Sequence, residues 1–161
     1  MIRKYRATDL ETLRAITAIC FDGVSIDQNI EQRYGMINGK GWQWRKAGHI
    51  DADAVAHAEG IFIWEADGET VGFVSARPNR ETGIGWIPNL SVLPDHQRRG
   101  IGKALIGEAL NYLRGEGMTY VRIETIEQNR AAVGLYPRLG FVEVARQIHY
   151  VMPLEGRPEG S

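Results

Sequence analysis

The chain has 161 residues, 43% of them hydrophobic and 24% charged, with a formal net charge of −1. That is enough for one domain with its own core and short of two, and the near-neutral balance excludes a global attraction to nucleic acid or to an anionic membrane. The single cysteine, Cys20, cannot close an internal disulfide, no stretch approaches the length of a membrane span or a signal-peptide core, and the expected address is the cytoplasm.

Ile2 to Arg6 reads as a short strand. Thr8-Asp9-Leu10-Glu11 has the form of a capping box, with Thr8 and Glu11 satisfying each other's end of a helix start. Leu10, Leu13, Ile16, Ile19 and Cys20 then make an apolar stripe at helical spacing, on which Cys20 is a packed thiol. Asp27 to Ile37 and Trp42 to Glu59 are two further helix candidates, separated by Asn38-Gly39-Lys40-Gly41. Tyr34, Trp42 and Trp44 suit packing ahead of an acceptor pocket. Ile61–Ala66 and Thr70–Ala76 flank Asp67-Gly68, a two-residue hairpin signal. After a loop from Pro78 to Gly83, Ile84 to Leu93 is a strand interrupted by Pro88, which cannot donate to a ladder.

Leu90 to Lys103 carries the chemistry. A strand ends near Val92, the chain breaks at Pro94-Asp95, and a basic, glycine-rich turn opens a helix marked by Ala104, Leu105, Ile106, Ala109, Leu110 and Leu113. Helix-start N–H groups lack intrahelical partners and carry the positive end of the dipole, so glycines there make a phosphate site. Arg98, Arg99 and Lys103 add cationic side chains. The P-loop pattern fails, since Gln97 and Ala104 stand where glycine and a hydroxyl are required, and the dinucleotide fingerprint fails at Leu105.

Gly115-Glu-Gly117 stops that helix. Tyr120 to Thr125 is a strand, Glu127-Gln-Asn129 a break, and Ala131 to Leu139 a short helix ended by Gly140. Phe141 to Val144 and Ile148 to Met152 are two closing strands. One domain is expected over residues 1–155, with a flexible tail expected over 156–161. Hairpin-linked strands followed by a strand–helix–strand crossover imply a mixed sheet with helices on its faces.

Gln97-Arg98-Arg99-Gly100-Ile101-Gly102 resembles, position for position, the acetyl-CoA loop of the GNAT superfamily of N-acetyltransferases, Gln/Arg-x-x-Gly-x-Gly/Ala. Asn129-x-x-Ala132-x-x-x-Tyr136-x-x-x-Gly140-Phe141 resembles the second signature of the same superfamily. It begins twenty-six residues after Lys103, the length of a helix plus a strand. The resemblance covers nearly the whole chain and is weakest over 22–60. It implies an α/β (α+β) fold with a mixed, mostly antiparallel sheet of six to seven strands flanked by helices on both faces.

The same resemblance implies that Leu90, Ser91 and Val92 present backbone groups to the pantetheine arm of acetyl-CoA. Arg98, Arg99, Gly100, Ile101, Gly102 and Lys103 then wrap its pyrophosphate, and Asn129 binds the pantetheine from the other side. Tyr136 is the implied proton donor to the leaving sulfur, although its ordinary pKa of about 10 makes it an uphill acid for a thiolate whose reference value is about 8.5. A core tyrosine is the competing reading.

Glu124, twelve residues before Tyr136, resembles in spacing the glutamate that deprotonates the amine in the ribosomal-protein N-terminal acetyltransferase branch. The competing reading is a solvated strand carboxylate, with Glu127 as a fallback base. Pro137, directly after Tyr136, departs from the family pattern and is expected to bend the last turn. No metal is expected, because His49, His57, His96 and His149 are scattered and no zinc motif is present. The expected activity is direct acetyl transfer from acetyl-CoA, as co-substrate, to a primary amine: a small molecule, or the N-terminus or a lysine of a protein or peptide. The alternative is an acetyl-CoA-binding regulatory or interaction module. A homodimer is an expectation from the resemblance alone; nucleic acid and membrane partners are not expected.

Overall fold

Alternation sorts the central hairpin between two cores. In the computed structural model, which describes residues 1–155, strands β2 (Ile61–Ala66) and β3 (Glu69–Ser75) join through Asp67 and Gly68. Both turn residues have positive φ, 52° and 79°, as the primed hairpin turn requires. Ile61, Ile63 and Phe73 pack with Leu13 and Ile16 of α1 (Leu10–Cys20) and Ile50 of α3 (Trp42–His57). Phe62, Val74 and Ala76 pack on the other face against Ile101, Leu105, Ile106, Ala109 and Leu113 of α4 (Ile101–Gly115). A bulge at Trp64/Glu65 leaves Val71 unopposed in the register and lets it join the α4-side core.

The sheet is mixed and mostly antiparallel, as expected. Strand β1 (Ile2–Lys4) pairs with β2, β2 with β3, and β3 with β5 (Leu90–Val92), all antiparallel. Strand β4 (Ile84–Trp86) pairs in parallel with β6 (Tyr120–Arg122). The Arg77↔Trp86 bridge and the Ser75 N–H to Asn89 carbonyl bond tie β4 and β5 to the same side of β3. The strand expected from Ile84 to Leu93 is therefore split over Ile87–Asn89, where Pro88 has no N–H to give.

Some local expectations are corrected. Thr8 and Glu11 do not cap reciprocally. Asp9 takes the role, accepting the Arg6 N–H at 2.7 Å while Arg3 grips both its oxygens at 2.8 and 2.9 Å. Glu11 pairs with Arg14 instead. Helix α2 spans Ile26–Tyr34 and stops before Ile37, because Gly35 turns to φ 77° and donates to the Glu31 carbonyl at 2.7 Å. Strand β6 ends at Arg122 and not Thr125, because past this point its neighbour has left it.

Two closing strands were expected at Phe141–Val144 and Ile148–Met152, yet among the described residues six strands are present and neither segment joins a ladder. Val142, Val144, Ile148 and Tyr150 are exposed. Alternating apolar residues suit a strand, but no neighbouring edge supplies the hydrogen bonds. The tail expected from 156 onward lies outside the described residues.

Candidate active site

Strands β4 and β6 run together only as far as the Ile87 N–H to Arg122 carbonyl bond at 3.0 Å. Beyond it β5 follows β3 while Ile123 to Thr125 continue without a ladder, so the sheet opens between Leu90–Val92 and Ile123–Thr125. Asn89, Leu93 and, by alternation, Ser91 direct their backbone groups to β3. Leu90 and Val92 consequently turn theirs into the opening. The Ser91 side chain is buried near Cys20, whose thiol donates to the Val92 carbonyl at 3.3 Å. Burial pushes that thiol up to about 11.

Below the opening, the Gln97 side-chain amide donates to the Val92 carbonyl at 2.9 Å and pins the basic turn to β5. Arg98 and Gly100 both adopt positive φ, 61° and 79°. The first helical N–H closed by the α4 ladder is Ala104, onto the Gly100 carbonyl at 3.0 Å. The N–H groups of Arg98 through Lys103 thus have no backbone partner among the described residues, and the space where a Gly100 Cβ would sit is open. This arc of donors at a helix start, with Arg98, Arg99 and Lys103 exposed around it, fits a pyrophosphate.

Asn129 caps α5 (Arg130–Arg138), its side-chain oxygen accepting the Ala132 N–H at 3.3 Å. Ala132 is buried under that cap. Tyr136 and Phe141 pack against the α4-side core with ring centroids 5.9 Å apart, and Phe141 N–H returns to the Tyr136 carbonyl at 3.1 Å. Burial pushes the Tyr136 phenol up to about 12. Pro137 sits in the last turn, inside the helix.

Glu124 lies on the opposite side of β6. Val121 and Ile123 face the α4 core, so Arg122 and Glu124 face away from it. The Trp86 indole N–H donates to Glu124 Oε2 at 2.6 Å, and Arg122 pairs with Glu124 Oε1. Glu127 pairs with Arg146 at 3.5 Å, away from this contact. Tyr136 and Glu124 therefore lie on opposite faces of the sheet, the phenol on the α4 side and the carboxylate on the other.

The base of the opening is held by residues that the motifs do not include. Asp53 of α3 is 1% exposed and accepts Ser75 Oγ at 2.7 Å, Asn89 Nδ2 at 2.5 Å and Arg77 Nε at 3.0 Å. Asn89 N–H donates to Ser75 Oγ at 3.1 Å. The only signal for Asp53 was its position one turn after Ile50 on an apolar helix face. Of the aromatics considered for an acceptor pocket, Trp42 is buried, Trp44 is exposed, and Tyr34 donates to the Val151 carbonyl at 3.2 Å. Trp86 is the one beside Glu124. Among the described residues no cluster of His, Cys, Asp and Glu could hold a metal ion, and no helix is long and apolar enough to cross a membrane.

An opened mixed sheet over an arc of helix-start N–H groups offers a slot for an extended ligand with an anionic end. The chain belongs to the GNAT acetyltransferase family, whose model matches residues 25–141. It is 37% identical over 91 residues to the mycothiol acetyltransferase of Streptomyces coelicolor, a match covering 56% of this chain and 29% of that protein. The chain thus spans less than a third of the length of that relative. Its fold is similar to the PaiA N-acetyltransferase of Thermoplasma acidophilum in complex with coenzyme A, with TM-score 0.70 and 22% identity over 88% of this chain and 89% of that one. A GNAT family acetyltransferase from Brucella melitensis in complex with acetyl-CoA is similar at TM-score 0.64 and 27% identity, over 89% of this chain and 82% of the other.

Proposed function

We propose that this chain transfers acetyl from acetyl-CoA to a primary amine within a single domain over 1–155. The observation that carries the reading is the opening between β5 and β6, with the free N–H arc of Arg98–Lys103 at its foot and Tyr136 and Glu124 on opposite faces of the sheet. Acetyl-CoA, when bound, supplies an acetyl thioester.

The N–H groups from Arg98 to Lys103 bind the pyrophosphate, with Lys103 and the two arginines neutralising charge around it. Leu90 and Val92 hold the pantetheine arm through backbone groups; Val92 offers its N–H, because its carbonyl is already taken by Gln97 and Cys20. Ser91 serves from behind, locking β5 to β3. Asn129 fixes the start of α5 and thereby the position of Tyr136 seven residues on. Glu124 takes the proton of the amine, and Tyr136 donates to the departing sulfur. The elevated Tyr136 pKa keeps the phenol protonated at all working pH values and makes it a poor acid, so it acts by position and by a hydrogen bond to developing negative charge.

Two substitutions test these roles together. Tyr136→Phe lowers kcat by roughly a hundredfold with little change in acetyl-CoA affinity, and Glu124→Gln flattens the limb of kcat/KM that rises with pH. Parallel losses in kcat and affinity for Tyr136→Phe, or an unchanged pH profile for Glu124→Gln, would remove the corresponding assignment.

A further inference from the structure

A pocket of about 400 Å³ lies beside Glu124, on the sheet face away from α4, and its wall includes Arg77, Asn79, Thr82, Trp86 and Arg122. It carries two guanidinium groups and no carboxylate on its lining. Both lie over the Trp86 ring, Arg122 at 4.4 Å and Arg77 at 5.3 Å from its centroid. Each is held from outside the pocket by part of its donor fork. Arg77 gives Nε and Nη2 to the buried Asp53, and Arg122 gives Nη1 to Glu124. Nη1 of Arg77 and Nε and Nη2 of Arg122 make no hydrogen bond among the described residues. An arginine has five N–H donors in a rigid fork, so both remain able to take an oxyanion after these bonds are made.

We infer that this pocket binds the oxyanion of a zwitterionic acceptor, a small amine carrying a carboxylate or phosphate group. The inference rests on the transferase reading above and names the class of amine it acts on. Arg122 and Glu124 stand two residues apart on one side of the same extended chain and are paired to each other. A ligand with an anion and an ammonium complements both members of that pair, the anion on the free edge of Arg122 and the ammonium on the Glu124 carboxylate. Trp86 couples the two places physically, since its ring lies under the arginines and its indole N–H holds Glu124. Anchoring the anion in the pocket presents the amine to the carboxylate that takes its proton. Arg77, fixed by a buried carboxylate, cannot swing away from the pocket without unpairing Asp53.

The Trp86 indole N–H is the reporter, its resonance assigned with Trp86→Phe in the full chain. Glycine, β-alanine and phosphoethanolamine are titrated against their neutral-ended counterparts glycinamide, β-alaninamide and ethanolamine. At least one zwitterion shifts the resonance saturably, at least tenfold tighter than its counterpart, and the amino-acid and phosphate arms distinguish which oxyanion is held. Arg122→Gln loses at least tenfold in that affinity, and Arg122→Glu abolishes it. Equal shifts by both members of every pair, no saturable shift by any zwitterion, or an unchanged affinity in Arg122→Gln would overturn the pocket assignment. Thiol release from acetyl-CoA is followed in parallel. Zwitterion binding without thiol release leaves the pocket standing and removes the transferase reading, whereas thiol release with neutral amines and no zwitterion binding does the reverse.

Discussion

Asp53→Ala tests whether one buried carboxylate organises the base of the opening. The side chain is 1% exposed and accepts hydrogen bonds from Ser75, Asn89 and Arg77, so its removal leaves three donors without their acceptor, one of them a guanidinium. Two buried donors, Ser75 and Asn89, lose their acceptor at about 1–3 kcal/mol each and the part-exposed Arg77 guanidinium loses its partner, a cost of about 3–5 kcal/mol in all. For a domain of this size each kcal/mol lowers Tm by about 2–4 °C, so the expected fall is roughly 6–20 °C. Thermal unfolding followed by circular dichroism at pH 7 reads it directly. The double variant Asp53→Ala/Arg77→Met recovers only the part owed to the unpaired guanidinium, since Ser75 and Asn89 still lack their acceptor. A fall below about 3 °C for the single variant, under the lowest cost expected of these losses, would refute the hub.

Gly100→Ala adds a Cβ that meets nothing within 4 Å, so its cost is purely the positive φ of 79°. The variant loop sheds that penalty of about 1–2 kcal/mol by leaving this backbone in the free protein and repays it on binding, which gives roughly five- to thirtyfold weaker acetyl-CoA binding by calorimetry, and unchanged affinity would detach the loop from the pyrophosphate. Stability falls at alkaline pH through Tyr136 and Cys20, whose neutral forms burial favours from ordinary values of 10.0 and 9.0 up to about 12 and about 11. Both raised values give stabilisation that is whole below pH 9 and is lost as pH climbs through 12, about 2–3 kcal/mol for each group. Urea midpoints between pH 8 and 11.5 measure it. Tyr136→Phe shallows the decline, and identical slopes in the two proteins would contradict the buried phenol.

How much of this could be read in advance depended on whether the information was local. Asp67-Gly68, Pro88, Gly100 and Gly115-Glu-Gly117 each constrain their own backbone, and the hairpin, the split strand, the anion loop and the helix stop all lie where those residues put them. Asn129 and Ala132 were singled out through the family resemblance, which gave Asn129 to the pantetheine arm; its capping of the Ala132 N–H was not foreseen. Asp53, Arg77, Trp86 and Arg122 come from separate elements and acquire meaning only when the register brings Arg77 opposite Trp86 and Trp86 opposite Arg122. Thr8 lost its capping role to Asp9 because Arg3 on β1, six residues before the aspartate, holds it in place, a contact that no local pattern encodes. The closing strands failed for a different reason. The alternation of Val142, Val144, Ile148 and Tyr150 reports suitability for pairing and says nothing of whether an edge is there to pair with.

The most direct test of the account is acetyl-CoA-dependent thiol release measured across a panel of small amines and of N-terminal and lysine peptides. Release is expected to require an amine, to saturate in acetyl-CoA, and to drop about a hundredfold in Tyr136→Phe. Tight acetyl-CoA binding with no amine-dependent release on any member of the panel would contradict it and leave an acetyl-CoA-binding module in its place.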